Sequence, residues 1–286
     1  MRFACKKKNH VGAFGSISSL PGFLFLSFWC GVDFAAGALE AARFFRAARR
    51  ILRGGCDLQN RLILCVGFRG SGKSTVASNV LRRNVAVFVF DPHGDSAYFW
   101  IPNTARTVEQ LKDYTRWCRE SKPQRGWIRY IPDGRLDPFE VLNDFCAWAW
   151  PWRNIWMCVE EVSESCKGVS AQGMCPELRR LVNQGRHRGI NAIFCGLRYA
   201  EIPRPISAGA DVQILFRSQE PLDLDSMRGR IGSEATEKVQ GLGQHEALVF
   251  FPDRTWQTIG SREAGLAELV LRDSANVSEN VGQERS

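Results

Sequence analysis

The sequence predicts an α/β fold in which a mainly parallel sheet is flanked by helices. From residue 58 onward, short apolar runs alternate with longer stretches of helical pattern, as in strand–helix–strand units. Turn-forming Gly, Pro, Asn and Asp residues lie between these segments. The chain has 286 residues, of which 44% are hydrophobic, so it can bury one large core domain with extensions at its ends.

Seven strands and five helices are predicted in this region. The apolar runs place strands at 62–67, 85–91, 127–131, 155–160, 191–196, 212–216 and 247–251. Helical periodicity places helices at 73–82, 107–120, 138–147, 176–186 and 222–231. The sequence contains no internal repeat, so a single domain over residues 58–262 is predicted.

The residues before this domain, 1–57, form a predicted arm that carries most of the positive charge. Its Arg and Lys residues exceed its acidic residues by six, whereas the whole chain has a net charge of +8. The rest of the chain is therefore nearly balanced, and the overall charge alone does not indicate that the domain binds nucleic acid. Residues 263–286 form a polar C-terminal tail that is expected to fray.

Residues 11–32 of the arm contain no formal charge, and a stretch of this length can span a bilayer. A basic amphipathic stretch, ARFFRAARRILR, follows it. Two interpretations stay open. The segment is a membrane anchor or interfacial segment, or the arm is poorly ordered and binds a partner.

The ten cysteines include no C-x-x-C pair. Several lie in apolar runs, among them Cys65, Cys158 and Cys195, and buried reduced thiols explain such positions. A zinc site formed by Cys166, Cys175 and His187 is the alternative, but these residues have no recognised zinc-site spacing.

The stretch GFRGSGKS, residues 67–74, fits the phosphate-binding pattern G-x-x-x-x-G-K-[ST] without a mismatch. An apolar strand precedes it and a helical run follows it, which places a helix N-terminus and its partial positive charge at the loop. Lys73 supplies a cation for the β and γ phosphates, and Ser74 supplies a hydroxyl for Mg²⁺. ATP and Mg²⁺ are therefore the predicted cofactors. The predicted nucleotide-binding residues are Gly67, Gly70, Ser71, Gly72, Lys73, Ser74 and Thr75.

Two carboxylates, Glu160 and Glu161, end the apolar run NIWMCV. At the carboxyl end of a strand both side chains can reach a site at the rim of the sheet. We expect Glu160 to support the metal with Ser74, and Glu161 to activate the attacking water. The alternative is a solvated acidic strand end. Glu160 stands where Asp is commoner, so its extra methylene alters the expected metal geometry.

No N-K-x-D motif for reading guanine is present, which argues against a G protein. A small-molecule kinase stays open, because an Arg-rich stretch such as GRHRG, residues 185–189, can act as a phosphate lid.

Taken together, three stretches resemble the FtsK/HerA superfamily of P-loop DNA motors. These are FVFDPHGD after the second strand, the EE pair, and the segment LRRLVNQGRHRGINAIFCGLRYAEIPRPISAGADVQILFR. They occur in the order of that superfamily within residues 58–260. The resemblance implies a RecA-like ATPase core that assembles into a ring, expected to be a hexamer, and moves DNA. It further implies packaging of a viral genome, in the host cytoplasm or the virion, with capsid or membrane proteins as partners of the arm.

One position departs from this superfamily. Leu197 stands where the resemblance implies a sensor Gln, and Leu cannot hydrogen-bond a phosphate or a water molecule. Either Arg198 takes over this contact with the nucleotide, or hydrolysis is slow or differently coupled. The alternative for Arg198 is a surface ion pair.

The resemblance also implies an arginine that completes the site of a neighbouring subunit. Arg186 is the first candidate, Arg188 the second and Arg217 the third, with helix capping or contact with the DNA backbone as the alternative for each. Three other functions stay open: a filamentous-phage-type extrusion ATPase at a membrane, a small-molecule kinase, and a scaffold that binds ATP without hydrolysing it.

Overall fold

The computed structural model describes residues 61–260. The chain divides into two units, Met1–Cys56 and Asp57–Ser286, and all of the described residues belong to the second. The predicted arm with its segment 11–32, and the predicted tail 263–286, lie outside the described residues. Within 61–260, no helix is long and apolar enough to cross a membrane.

The described residues form a nine-stranded sheet with the strand order β3-β4-β2-β5-β6-β1-β7-β8-β9. The strands are β1 Leu62–Val66, β2 Ala86–Phe90, β3 Asn103–Ala105, β4 Gly126–Tyr130, β5 Ile155–Val159, β6 Ile190–Gly196, β7 Val212–Phe216, β8 Glu246–Phe250 and β9 Trp256–Gly260. The first seven strands are parallel, β8 runs antiparallel to β7, and β9 runs antiparallel to β8.

Helices lie on both faces of the sheet. They are α1 Lys73–Leu81, α2 Val108–Ser121, α3 Pro138–Ala149, α4 Pro176–Gln184, α5 Arg204–Gly209, α6 Pro221–Ile231 and α7 Ser233–Gln240. Successive residues of β1 pack into two separate clusters: Leu62 and Leu64 on one face, and Ile63 and Cys65 on the other. All five residues of β1 are buried, as expected for a central parallel strand covered on both sides.

This architecture confirms the predicted fold class, and all seven predicted strands are present. Two strands and two helices were missed. β3 has only three residues, and the two middle residues of β9 are exposed, so neither gives an apolar run. The helix α5 contains Pro and Gly, and α7 is separated from α6 by Gly232 alone, which conceals the break in the helical pattern.

The strand order determines where the functional residues meet. β6 lies between β1 and β5, and the register pairs Val66 with Gly196 and Val159 with Phe194. On the other side of β5, Phe90 of β2 pairs with Val159. The carboxyl ends of β1, β2, β5 and β6 therefore lie side by side, at the edge where parallel sheets bind ligands.

Candidate nucleoside triphosphate site

The loop that follows β1 adopts a backbone that requires glycine. Gly70 and Gly72 have φ angles of 79° and 112°, a region that side chains other than Gly rarely adopt. Glycine is needed at position 67 because the backbone there lies close to β7: a Cβ atom would lie 2.5 Å from the Cβ of Phe216. These features hold the loop in a curl above the N-terminus of α1, where backbone N–H groups can face an anion.

Lys73 is the first residue of α1 and is buried beside this loop. Its Nζ atom donates hydrogen bonds to the carbonyl oxygens of Gly67 at 2.9 Å and Phe68 at 3.3 Å. An ammonium group has three donors, so these two bonds leave one for a phosphate oxygen. Lys73 therefore lies where its charge can neutralise a phosphate in the curl of the loop.

Glu160 follows β5 and is almost completely buried. Its carboxylate accepts a hydrogen bond from the hydroxyl of Tyr98, and its backbone N–H donates to Phe90 at 3.0 Å. Burial raises the pKa of the Glu160 carboxyl well above its usual value, although Tyr98 and Lys73 oppose this effect. A nearby cation would favour the charged form of this carboxyl.

Glu161 has a left-handed backbone with a φ angle of 48°, which is uncommon outside glycine. Its Oε2 atom is buried and has no hydrogen-bond partner within residues 61–260. Burial raises the pKa of the Glu161 carboxyl, and the charge of Lys73 opposes that shift. A buried acceptor without a partner requires an explanation, and a ligand in the adjoining cavity supplies one.

These groups line one cavity of about 450 Å³ at the carboxyl edge of the sheet. The predicted residues that line it are Gly70, Gly72, Lys73, Ser74, Thr75, Glu160 and Glu161. The hydroxyl of Ser74 and the two carboxylates are oxygen donors of the kind that Mg²⁺ prefers. Together with the buried unpaired oxygen of Glu161, this donor set fits Mg²⁺ bound with a triphosphate.

The wall opposite the loop is the turn DPHGD, residues 91–95. The buried carboxylate of Asp91 accepts hydrogen bonds from the backbone N–H groups of Gly94 and Asp95, both at 3.0 Å. It also forms an ion pair at 2.5 Å with Arg129 of β4, which is buried too. Arg129 in turn donates to the carbonyl oxygen of Asp95 at 2.7 Å. The turn is therefore fixed from a strand that does not itself line the cavity.

Several cavity residues were not predicted to be part of the site. His93, in the turn, pairs with Glu164 at 2.9 Å, and the Nδ1 atom of His245 lies 3.3 Å from the carbonyl oxygen of Ser71. The sequence motif DPHGD was a signal for the first of these positions. His245 is 174 residues from Ser71 in the chain and lies outside every motif, so the sequence carried no signal for it.

The predicted arginines Arg186, Arg188 and Arg198 do not line this cavity. Arg186 and Arg188 precede β6 and so lie at the amino edge of the sheet, whereas the loop lies at the carboxyl edge. A seven-residue strand separates the two edges by about 20 Å. Arg188 stacks on the ring of Trp150 and donates to the carbonyl oxygen of Pro151 at 3.1 Å. Neither arginine can reach the cavity of its own chain.

Arg198 does not line the phosphate cavity. It forms ion pairs with Asp223 at 3.1 Å and Glu220 at 3.4 Å. With Leu197, Gly67 and Phe68 it lines a second cavity of about 390 Å³, between the carboxyl ends of β1, β6 and β7 and the helix α6. Its ion pairs match the surface interpretation of Arg198 that the sequence left open.

The cysteines are free throughout the described part of the chain, and the burial of Cys158 raises the pKa of its thiol. Cys166, Cys175 and His187 do not form a metal-binding group there. The potential donors that do converge are Cys158, Glu160 and Cys195, whose ligand atoms lie within 4.8 Å of one another beneath the nucleotide cavity.

Solved structures share this fold at low sequence identity. The genome packaging NTPase B204 from Sulfolobus turreted icosahedral virus 2, in complex with AMPPCP, has a TM-score of 0.56 at 19% identity over 70% of this chain and 97% of that chain. B204, the DNA-packaging ATPase from Sulfolobus turreted icosahedral virus, has a TM-score of 0.54 at 20% identity over 70% and 97%. VirB4 of Thermoanaerobacter pseudethanolicus has a TM-score of 0.53 at 11% identity over 74% and 94%.

These similarities confirm the predicted fold, which the chain shares with the two packaging proteins and with VirB4. No protein-family model matches the chain, and no curated protein matches its sequence.

Proposed function

We propose that the protein is an ATP-driven DNA translocase that packages a viral genome and works as a hexameric ring in the host cytoplasm or the virion. The observation that carries this proposal is the single cavity that joins the phosphate-binding loop to Glu160 and the unpaired Oε2 atom of Glu161. This carboxylate oxygen can accept a proton from an attacking water molecule, as hydrolysis of ATP requires; in a kinase it would accept the proton of an acceptor hydroxyl instead. The NTPase neighbours, one of them bound to an ATP analogue, support nucleotide binding and an ATPase role.

In the proposed reaction, the curl of the loop and Lys73 hold the β and γ phosphates. Mg²⁺, held by Ser74 and Glu160, would neutralise charge on the triphosphate. Glu161, which lines the cavity, accepts a proton from the attacking water at its unpaired Oε2 atom. Asp91 and Arg129 keep the opposite wall in place during turnover.

The proposed ring is supported by the position of Arg186. It lies at the amino edge, about 20 Å from its own cavity, so if it stabilises a γ phosphate, that phosphate is bound by a neighbouring subunit. This is the expected arrangement in a motor whose sites lie between neighbouring subunits. Packaging of DNA rests on the motif order and on the described function of B204.

The test is ATP hydrolysis by the full-length protein, with and without double-stranded or single-stranded DNA. We expect double-stranded DNA to stimulate turnover. Lys73→Ala should abolish turnover and weaken ATP binding, whereas Glu161→Gln should lower turnover by at least about 100-fold and leave ATP binding intact. Glu234→Gln, an exposed change on α7, is the matched control for the loss of a carboxylate.

The other functions predict different results. Stimulation by single-stranded DNA alone would favour extrusion over packaging. Turnover that needs a small-molecule acceptor and ignores DNA would favour a kinase. Tight ATP binding with negligible turnover under all of these conditions would favour the gated scaffold.

A further inference from the structure

Exposed cations cluster at the amino edge of the sheet, on the side opposite the nucleotide cavity. The loops that lead into the adjacent strands β4, β2 and β5 carry five exposed Lys and Arg residues, which we call the amino-edge cluster: Arg82, Arg83, Lys122, Arg125 and Arg153. These three loops, as the structure describes them, contain no acidic residue. The acidic neighbour is Glu120, in the last turn of α2. The cluster is strongly basic although the domain as a whole is nearly balanced.

Aromatic rings hold two of these cations in place. The guanidinium of Arg125 lies 4.6 Å from the centre of the Trp127 ring, and that of Arg82 lies 5.1 Å from the centre of the Trp100 ring. The two tryptophans contact each other edge to face at 4.8 Å. Trp127 is further fixed by a hydrogen bond from its Nε1 atom to the carbonyl oxygen of Asn84 at 3.0 Å.

This arrangement orders the arginines before any partner binds. A guanidinium that stacks by its face still presents its planar N–H donors at the edge, and these match the oxygens of a phosphate. Ordering in advance lowers the entropy lost on binding. Val85, in the same loop as Arg82 and Arg83, is also exposed and offers an apolar contact to a sugar.

The dimensions of the cluster fit a row of phosphates. Three adjacent strands span about 10 Å, since neighbouring strands lie about 4.8 Å apart. The long side chains extend that reach by several Å on each side. Phosphates of one DNA strand follow one another every 3.4 Å along the duplex axis, so about three to five of them face the cluster.

We infer that the amino-edge cluster is a binding surface for the phosphate backbone of duplex DNA. The inference rests on the proposed function, which supplies DNA as the partner, and adds where that partner contacts the chain. The surface is separate from the nucleotide cavity, because the two lie at opposite ends of the same strands. Its β5 end adjoins the turn that carries Arg186, because the N–H of Asn154 donates to the carbonyl oxygen of Arg188 at 3.0 Å.

The test compares two double variants of the full-length protein that carry the same change in charge. Arg125→Glu/Arg153→Glu alters the cluster, and Lys112→Glu/Lys238→Glu alters exposed positions on α2 and α7. Binding to a duplex of about 30 base pairs of random sequence is measured over a range of KCl concentrations. The arm of residues 1–57 is unchanged in all three proteins, so its contribution cancels in the comparison.

We expect the cluster variant to bind at least about 10-fold more weakly than the control variant at low salt. Its plot of log affinity against log salt concentration should be less steep by about two, because each lost phosphate contact removes about one from the slope. Basal hydrolysis without DNA should stay within twofold of the wild type, while stimulation by DNA falls. If the Glu variant does not fold, Arg125→Gln/Arg153→Gln replaces it, with about half the effect on affinity.

The remaining outcomes separate this inference from the proposed function. If the wild type binds no DNA, the proposed DNA substrate fails and this inference fails with it. If the wild type binds DNA and both double variants bind equally well, only the surface assignment is overturned. Loss of binding to vesicles that contain anionic lipid, with DNA binding intact, overturns it in favour of a membrane surface.

Discussion

The two edges of the sheet hold their charges in opposite ways. At the carboxyl edge, Lys73, Asp91, Arg129 and Glu160 are all buried, and each has a partner at hydrogen-bond distance. At the amino edge, the arginines of the cluster are exposed, and two of them, Arg82 and Arg125, lie against tryptophan faces. Buried charges require fixed partners, because water no longer solvates them. Exposed charges stay solvated by water, so they need no fixed partner of opposite charge.

The difference indicates what each edge can bind. A rigid, compensated pocket suits one small ligand of defined shape, such as a triphosphate with its metal. An exposed row of cations suits a polyanion of repeating structure, since no single contact must be exact. If this contrast in burial also governs stability, removing a buried charge should lower the free energy of unfolding far more than removing an exposed one.

The largest effect is expected for Arg129→Met. This change leaves the carboxylate of Asp91 buried without its cation, which should lower the free energy of unfolding by about 3–5 kcal/mol. The matched control is Arg135→Met, because Arg135 pairs with Asp133 at the same distance of 2.5 Å but is exposed. There little or no loss is expected, because water and salt screen an exposed pair. Urea unfolding measures the free energy of unfolding of both variants. Similar losses in the two would contradict the claim that burial makes the Asp91–Arg129 pair the more important one.

A smaller effect of opposite sign is expected for Glu160→Gln. The fold raises the pKa of this carboxyl, so the wild type is most stable below the pKa of the unfolded state and loses stability as the pH rises through the folded pKa. A neutral Gln removes that loss. The variant should be more stable than the wild type at pH 8 and no more stable near pH 4, while turnover is lost.

Thermal unfolding of the nucleotide-free proteins between pH 4 and pH 8 measures this effect. Glu234→Gln, an exposed change, is the matched control for the loss of a carboxylate. If Glu160→Gln is instead less stable than the wild type at pH 8, the contacts of the charged carboxylate with Tyr98 and Lys73 outweigh the cost of its burial.

The smallest effect is expected at the amino edge. Arg180 and Arg188 both stack on Trp150, with the Arg180 guanidinium 4.1 Å from the ring centre. Arg180→Met removes an exposed stack, which should lower the free energy of unfolding by about 0.5–1 kcal/mol. Arg179→Met, at an exposed position one residue earlier, is the control. A loss comparable with that of Arg129→Met would remove the contrast between the edges.

The sequence predicted much of the fold and the centre of the site. The strands of the parallel core are apolar runs because both of their faces are covered, and the phosphate-binding loop is determined by glycine and lysine spacing. Glu160 and Glu161 were located by the rule that side chains at the carboxyl end of a strand reach the rim. The same rule applied in reverse would have placed Arg186 and Arg188 at the other edge, since they precede β6.

The rest depends on contacts between distant parts of the chain. The hydrogen bond from Tyr98 to Glu160 joins residues 62 positions apart, and the ion pair of Asp91 with Arg129 joins residues 38 apart. Neither pair has a spacing that a local pattern can reveal. The fixed wall of the cavity and the raised pKa of Glu160 therefore follow only from the folded structure.

The strand order also has a consequence for how the chain is made. Within residues 61–260, β1, which leads into the phosphate-binding loop, pairs with β6 and β7, and Ala192 of β6 is its earliest partner in the chain. At 5–20 residues per second, a ribosome needs roughly 6 to 26 s to make the intervening segment. Throughout that interval neither of these partner strands has been made, so we expect the nucleotide pocket to be among the last parts of the domain to mature. A nascent chain that stops before residue 190 would carry the whole loop sequence and still be unable to hold ATP.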